Sequence, residues 1–331
     1  MHTLPQTPLK TVFIDATDTL AGVAEGLLAV TNSSVTQASN TSAQPEPLAF
    51  TLDINRQPGI NPDDIPQRVG DAQVIWVDHS LLPTEVAKQC PKLKHVVFMG
   101  TGARSYMNIE ALAALGIQVH LIKNYGDTAV AECAFGLMWA SARSLTLMDR
   151  AMRQGQWHRT EGVQLTGKTV GLIGFGGIGV EMARLCLGAG LKVLAWNRSP
   201  RSHPGVTFLP LDQVLAQSDV ISLHLLLDDS TKGLMSRRRL QQMKAGAILV
   251  NTARGALIDE EALIDQLKSG HIKHAGLDVF TVEPLPTDDP LTKLDNVTLS
   301  AHSAFRVPEA NQRLVELAFK LTVNISKSNN Q

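Results

Sequence analysis

Three polar residues in the second half of the chain, Arg254, Glu283 and His302, each follow an apolar run that reads as a strand. A histidine can give up a proton near neutral pH, and a neighbouring carboxylate favours its protonated form. A guanidinium can hold a substrate carboxylate with two hydrogen bonds while polarising the adjacent carbonyl group. Beside a hydride donor, the three would suit reduction of a 2-keto acid. Taken singly, each also fits a salt bridge, a turn carboxylate or a surface imidazole.

A glycine-rich run at residues 174–179 supplies the site for such a donor. The run fits the pattern G-x-G-x-x-G, with an apolar strand before it and an amphipathic helix after it. Glycine permits the tight turn, the approach of a pyrophosphate and close packing of helix on strand. The predicted cofactor-binding residues of this turn are Gly174, Gly176, Gly177, Ile178 and Gly179.

The end of the second strand of this unit indicates which dinucleotide binds. An acidic residue there accepts hydrogen bonds from the ribose 2′-hydroxyl and repels a 2′-phosphate. This chain instead has Asn197, Arg198 and Ser199. Arginine can pair with a phosphate and serine can donate a hydrogen bond to it, so we expect NADP(H) to be the preferred cofactor, with NAD(H) possible. The alternative is a solvated arginine beside an indifferent ribose pocket.

Strand and helix signals alternate along the chain, which predicts an α/β protein with parallel sheets covered on both faces. Residues 31–47 read as a surface loop, 128–152 as one long connecting helix, and 308–326 as a last helix packed on the first domain. Strands are predicted at 11–14, 49–54, 74–77, 95–98 and 117–122, and then at 169–173, 192–196, 220–223, 247–251, 275–279 and 297–299. The second series is the pattern of a doubly wound nucleotide-binding domain.

Composition excludes several classes of protein. The 331 residues, about two domains' worth, carry 30 basic and 31 acidic side chains, so no basic field attracts nucleic acid or a membrane surface. Three cysteines without paired spacing argue against a disulfide framework or a metal site. The apolar run at 19–30 lacks a basic region before it and contains Glu25. We therefore expect neither a signal peptide nor a membrane span, and a cytoplasmic protein.

A family resemblance joins these motifs. In their order along the chain they are residues 174–179, 251–255, 276–280, 283–284 and 301–304. With them, the chain resembles the D-isomer-specific 2-hydroxyacid dehydrogenases over nearly its whole length. The resemblance implies two doubly wound domains: a flavodoxin-like substrate domain of residues 1–123 and 304–331, and a Rossmann NAD(P)-binding domain of residues 124–303.

The resemblance also implies roles for individual residues. Arg254 would bind the carboxylate and carbonyl of the substrate, His302 would be the acid/base, and Glu283 would support His302. Asp278 would hydrogen-bond the nicotinamide carboxamide. Further cofactor contacts are expected from Thr128, His224, Thr252 and Ala253, and the backbone N–H groups of Thr101 and Gly102 would bind the substrate carboxylate.

Two departures from the family pattern bear on the substrate. After Gly102 the family usually has an acidic residue, whereas this chain continues through Arg104 and Tyr106, whose roles the sequence does not assign. The missing acid after the second Rossmann strand fits NADPH-preferring reductases of glyoxylate and hydroxypyruvate. We therefore expect a small 2-keto acid substrate, with a bulkier 2-keto acid as the alternative.

The resemblance further suggests a homodimer with the helix at 128–152 as its interface, although the apolar residues of that helix could simply pack against the sheet. A hypothesis from another class is a non-enzymatic dinucleotide sensor or corepressor on the same fold. Such relatives can retain every catalytic residue, so the sequence does not exclude one. Because no DNA-binding segment is recognisable within the sequence, we expect the enzyme rather than the sensor.

Overall fold

The computed structural model describes residues 8–37, 49–57 and 59–328. The chain divides into two compact units, one of residues 1–125 with 307–331 and one of residues 126–306. The sequence places these boundaries at 123 and 303. Each unit is a parallel sheet with helices on both faces, which confirms the predicted α/β class.

The described residues form twelve strands and eleven α-helices. The strands are β1 (Leu9–Phe13), β2 (Phe50–Ile54), β3 (Val74–Val77), β4 (His95–Phe98), β5 (Gln118–Leu121), β6 (Thr169–Ile173), β7 (Lys192–Trp196), β8 (Val206–Phe208), β9 (Val220–Leu223), β10 (Ala247–Asn251), β11 (Ile272–Leu277) and β12 (Val297–Leu299). The helices are α1 (Asp18–Gln37), α2 (Ile65–Val69), α3 (Thr84–Ala87), α4 (Ile109–Ala114), α5 (Asp127–Ala142), α6 (Leu145–Arg153), α7 (Gly177–Gly188), α8 (Leu211–Gln217), α9 (Arg237–Gln242), α10 (Glu260–Ser269) and α11 (Pro308–Ser328). Every helix within these described ranges is too short or too polar to cross a bilayer.

Sheet order identifies both units. The first unit has the order β2-β1-β3-β4-β5, which is the flavodoxin-like arrangement. The second has β12-β11-β10-β9-β6-β7-β8, the Rossmann order extended by β12. The sequence missed β8, which has only three residues and pairs with β7 at the edge of the sheet.

The core of the first unit explains why α11 belongs to it although 181 residues of the second unit intervene. Trp76, on β3, is fully buried and packs against Phe13, Phe50 and Phe319, the last of which lies on α11. Its indole Nε1 donates to the hydroxyl of Thr322 at 3.0 Å. A buried indole N–H requires such a partner, so one ring joins α11 to the sheet. The final helix therefore packs on the first unit, as the sequence predicts.

The second unit carries α5 and α7 on one face of its sheet and α8, α9 and α10 on the other. Helix α10 begins as its sequence predicts, with the carboxylate of Asp259 accepting from Ala262 N at 3.0 Å. It ends at Gly270, which has a left-handed φ of 75°. Local capping signals and apolar strands agree here, so these elements form where the sequence indicates.

Three sequence predictions need correction. The helix predicted at 128–152 is two helices, α5 and α6, because the carbonyl of Ala142 accepts from Val163 N at 2.8 Å and Ser144 turns to φ 50°. The loop predicted at 31–47 begins instead with the last seven residues of α1, and residues 38–47 lie outside the described part. The strand predicted at 275–279 is β11, which starts and ends earlier.

Candidate active site

Most of the predicted catalytic and cofactor residues follow strands at the carboxyl edge of the second unit's sheet. Gly174 follows β6, His224 follows β9, Arg254 lies beyond β10, Asp278 follows β11, and His302 lies beyond β12. Because these strands are parallel, their carboxyl ends lie at the same edge of the sheet. The loops after these strands therefore lie along one edge of the sheet, which we call the rim.

His302 and Glu283 form a hydrogen-bonded pair on this rim. Nδ1 of His302 lies 2.6 Å from Oε2 of Glu283. An ionised carboxylate can only accept, so Nδ1 carries the hydrogen and Nε2 is the nitrogen available to another molecule. The other carboxylate oxygen, Oε1, accepts from Phe280 N at 2.9 Å. Both side chains are about a third exposed, at 35% and 34%, so the pair is fixed yet reachable.

Asp278 holds the turn that carries His302. Its side chain is fully buried, and its two carboxylate oxygens accept from Ser303 N and Ala304 N at 3.0 Å each. Its carbonyl accepts from His302 N at 2.7 Å. His302 has a positive φ of 47°, which is uncommon outside glycine, and these bonds stabilise that backbone. The resemblance assigns Asp278 to the cofactor; the structure gives it this positioning role within the turn.

Arg254 lies on a loop closed by Asn251, a fully buried residue at the end of β10. The amide of Asn251 donates to Arg254 O at 2.9 Å and accepts from Ala253 N at 3.0 Å. The next residue, Gly255, packs so tightly against the backbone of Phe280 that a Cβ atom there would overlap it. The loop of Arg254 therefore touches the segment that leads to Glu283.

Sequence reasoning missed Asn251 and Gly255 as site residues, although both stand in the run Asn251-Thr252-Ala253-Arg254-Gly255 that it singled out. Of the predicted backbone contacts, Ala253 N is already bonded to Asn251. The hydroxyl of Thr252 is buried and has no hydrogen-bond partner among the described residues. Thr128 is the second residue of α5 and is half-buried. Their contacts with a cofactor stay predictions.

The glycine turn has the shape of a phosphate cradle. Gly174 has φ 99°, and a Cβ there would overlap the carbonyl of His224. A Cβ on Gly179 would lie 2.5 Å from Gly174 O, so the helix packs directly on the strand. Gly176 faces open space and caps α7 without any side-chain hydrogen bond. The first N–H groups of α7 are therefore uncapped by that residue, and this geometry fits a pyrophosphate.

Two residues predicted to bind the cofactor have partners within the protein. Oδ1 of Asn197 accepts from Phe175 N at 3.0 Å, and its amide donates to Ser199 O at 2.9 Å. Asn197 thus ties the glycine turn to the loop after β7. Gly177 lies against the carboxylate of Asp127, where a Cβ would not fit. Ile178 follows it in α7 and is half-buried.

His224 lies directly after β9, with its carbonyl against the glycine turn. Burial lowers its pKa to about 4. Both ring nitrogens are buried and, within the described ranges, neither has a hydrogen-bond partner. Burying unpaired nitrogens is energetically costly, so the imidazole of His224 fits a site at which a bound cofactor supplies the hydrogen-bond partner.

Arg198 faces an acid that sequence reasoning did not consider. Its guanidinium Nη1 lies 4.0 Å from Oδ2 of Asp228, on the loop after β9. Arg198 is 78% exposed, so it can turn toward another anion. Ser199 is exposed beside it.

The predicted substrate loop lies in the first unit, directly after β4. Thr101 is exposed and Gly102 half-buried, and a 3-10 turn at Ala103–Ser105 follows them. Arg104 pairs with Glu110, Nη1 to Oε2 at 3.0 Å, while the ring of Tyr106 packs on the core. Arg104 thus has a structural partner in the next helix, α4.

A second buried aspartate orders the neighbouring loop of the first unit. The carboxylate of Asp15 accepts from Asp78 N and His79 N at 2.9 Å and from Ser80 N at 2.7 Å. Asp78 in turn lies 2.9 Å from Nδ1 of His79. This loop follows β3, beside the loop of Thr101.

The cysteines offer no alternative chemistry. Burial raises the pKa of the Cys90 thiol, and it raises that of Cys186 to about 12. Burial, and secondarily the charge of Asp278, raise the pKa of Cys133 to about 11. Thiols in this state are poor nucleophiles at neutral pH. Among the described residues, no three His, Cys, Asp or Glu side chains converge to hold a metal ion.

Comparison with known proteins identifies the family to which these residues belong. The sequence profile of the family described as "D-isomer specific 2-hydroxyacid dehydrogenase, NAD binding domain" matches residues 135–304. These residues lie inside the second unit and include every predicted catalytic residue. The chain belongs to the D-isomer-specific 2-hydroxyacid dehydrogenase family.

Relatives of this dehydrogenase carry related names. It is 37% identical to the hydroxypyruvate reductase of Thermotoga maritima over 78% of this chain and 87% of the relative. It is 38% identical to the glyoxylate reductase of Thermofilum pendens over 74% of this chain and 76% of that one. Among solved structures, an acyclic imino acid reductase in complex with NADPH and D-arginine superposes with a TM-score of 0.81 at 27% identity, covering 96% and 98% of the two chains.

These matches settle the coarse predictions. The family resemblance and the pairing of a Rossmann with a flavodoxin-like unit are confirmed. The chain is an oxidoreductase that uses a nicotinamide cofactor and acts on the CH–OH group of donors. The hypothesis that the protein is an enzyme is thereby favoured over the hypothesis of a non-enzymatic sensor.

Proposed function

We propose that this dehydrogenase reduces a small 2-keto acid of the glyoxylate or hydroxypyruvate type to the D-2-hydroxy acid. The observation that carries this proposal is the His302–Glu283 pair, with the Arg254 loop packed against the same segment. A proton donor and a carboxylate-binding cation at the same edge of the sheet as the cradle at Gly174 are what the reaction needs. The nicotinamide ring supplies the hydride when bound.

Each predicted catalytic residue has a defined task in this proposal. His302 donates its Nε2 proton to the oxygen that becomes the alcohol, while Glu283 keeps Nδ1 protonated and the ring oriented. Arg254 binds the substrate carboxylate and polarises the carbonyl, as a guanidinium can do with two parallel hydrogen bonds. The backbone N–H groups of Thr101 and Gly102 are the proposed substrate contacts of the first unit.

The cofactor we propose is NADPH, with NADH also accepted. Arg198 is exposed at the end of β7, where an acid would exclude a 2′-phosphate, and Ser199 adds a hydroxyl donor. The imino acid reductase described above was solved with NADPH. Arg198→Ala should weaken NADPH binding and leave NADH binding nearly unchanged.

One panel of assays tests the substrate. Glyoxylate, hydroxypyruvate, pyruvate and phenylpyruvate are each reduced with NADPH and with NADH, and kcat/KM is compared. We expect the two small substrates with NADPH to give the highest values. A preference for phenylpyruvate would favour the bulkier-substrate alternative. Cofactor binding without turnover of any keto acid would instead support the sensor.

We also propose that the enzyme is a homodimer that uses α5 and α6. Helix α6 exposes Leu145 and Met152, each about half accessible, and exposed apolar side chains grouped on one helix often mark an interface. Light scattering during size-exclusion chromatography gives the mass directly. A monomer at micromolar concentration would contradict the proposal.

A further inference from the structure

We propose that Asp228 is a specificity-determining residue that replaces the acid missing from the end of β7. Its carboxylate would accept a hydrogen bond from the ribose 2′-hydroxyl of NAD(H) and would oppose the 2′-phosphate of NADP(H). Arg198 would do the reverse, so the two residues together make a site that accepts both dinucleotides. This inference rests on the proposed role of Arg198 in phosphate binding.

The sheet order explains how an acid from a distant segment reaches this place. Strands β7 and β9 flank β6, so the loops after them rise on either side of the glycine turn. Arg198 lies on the first loop and Asp228 on the second, and their side chains meet at 4.0 Å. An acid at the end of β7 would sit beside the same ribose. Asp228 approaches from the opposite loop.

The carboxylate of Asp228 is held in one orientation by its own turn. Oδ1 accepts from Ser230 N at 2.9 Å, from the hydroxyl of Ser230 at 2.6 Å and from Thr231 N at 3.1 Å. Asp228 N donates to the hydroxyl of Thr231 at 2.8 Å. These bonds use Oδ1 and leave Oδ2 as the oxygen that faces Arg198.

The charge of Asp228 persists at neutral pH. Hydrogen bonds, of which that from the Ser230 hydroxyl is the largest contribution, hold the pKa of the Asp228 carboxyl below its usual range. The ion pair with Arg198 is exposed on both sides, and exposed pairs are weak. Arg198 can therefore leave Asp228 for a phosphate, while Asp228 remains an ionised acceptor and a source of repulsion toward that phosphate.

The test compares Asp228→Asn with the unaltered enzyme in direct binding. The amide retains an acceptor oxygen for Ser230 and Thr231 but loses the charge. Dissociation constants for NADPH and NADH are measured by nucleotide fluorescence, and those for 2′,5′-ADP and 5′-AMP by calorimetry. We expect the ratio of the NADPH and NADH constants to move toward NADPH by about tenfold, as removal of one nearby like charge implies. The two fragments should show the same shift, because it arises at the ribose.

Asp229→Asn is the matched control, because it removes the same charge one residue away from the ion pair and should leave the ratio unchanged. A ratio in Asp228→Asn equal to that of Asp229→Asn would overturn the proposal. So would weaker binding of 2′,5′-ADP, since Asp228 would then serve only to orient Arg198. Arg198→Ala tests the underlying assignment separately: unchanged NADPH affinity there would refute the phosphate site whatever Asp228→Asn does. Thermal midpoints check that all variants are folded.

Discussion

Each unit of this dehydrogenase places a histidine–carboxylate pair at the carboxyl edge of its sheet, and in each pair the histidine sits on a turn fixed by a buried aspartate. In the second unit Asp278 holds the turn of His302, and in the first Asp15 holds that of His79. The difference lies in the partners. Glu283 comes from a separate loop, whereas the partner of His79 is its chain neighbour Asp78. An imidazole oriented from another loop keeps Nε2 in a defined place, which an acid catalyst requires.

The largest expected effect separates the two histidines directly. His302→Ala should lower kcat by at least about 10²-fold, because it removes the proton donor, while NADPH still binds. His79→Ala, the matched control in the other unit, should lower kcat by less than about tenfold, since general acid catalysis is worth more than that. Steady-state kinetics and fluorescence titration give both values. Equal losses in the two variants would contradict the assignment of the acid to His302.

Removing only the charge of the partner should have a smaller effect. Glu283→Gln keeps the size of the side chain but no longer stabilises a protonated imidazole, so we expect kcat to fall by roughly tenfold or more with little change in NADPH affinity. Glu261→Gln removes an exposed carboxylate from α10 of the same unit and should leave both kcat and NADPH affinity unchanged. If Glu283→Gln retained full turnover, Glu283 would be only a structural group of its turn.

The two buried aspartates, Asp278 and Asp15, can be compared by how much each contributes to the free energy of unfolding. Asp278→Asn and Asp15→Asn each place an amide NH₂ where a carboxylate oxygen accepted a backbone N–H, which costs on the order of 1–3 kcal/mol of unfolding free energy. Thermal and urea unfolding measure that loss in both variants. We also expect Asp278→Asn to lower kcat under conditions in which the variant is fully folded, because the backbone of His302 depends on Asp278.

Turnover reduced as strongly in Asp15→Asn would show that the loop of Asp78–Ser80 takes part in catalysis as well. Equal stability of Asp278→Asn and the unaltered enzyme would show that the turn of His302 holds without this carboxylate.

The strands could be predicted because buried parallel strands are continuous apolar runs. Those at 74–77, 169–173 and 247–251, among others, have the predicted bounds. Breaks set by tertiary contacts could not be predicted. Helix α5 ends at Ala142 because Val163 takes its carbonyl, and no local signal shows this.

The same limit applies to the site. Arg254, Glu283 and His302 were recognisable by residue type and by their places after strands, but the residues that hold them were not. Asp278 could be assigned only to the cofactor, because an acid after a strand looks the same whether it faces a ligand or a backbone turn. Asp228 and Arg198 are far apart in sequence, and only the sheet order brings them together.

The smallest expected effect concerns the contact between the Arg254 loop and the segment before Glu283. Gly255→Ala would drive a Cβ into the backbone of Phe280 and Thr281, which cannot yield as a flexible side chain does. We expect a loss of about 1–3 kcal/mol of stability and a several-fold lower kcat/KM for the keto acid, because the loops must separate.

Gly188→Ala provides the matched control. Gly188 ends α7 in the same unit, nothing lies within 4 Å of the added methyl group, and alanine favours the helix, so stability should stay the same or rise slightly. Both thermal midpoints and kinetics on one keto acid decide the outcome. If Gly255→Ala behaved like Gly188→Ala, the close approach of the two loops would not set the site. Arg254 would then be positioned by Asn251 alone, independently of the segment that leads to Glu283.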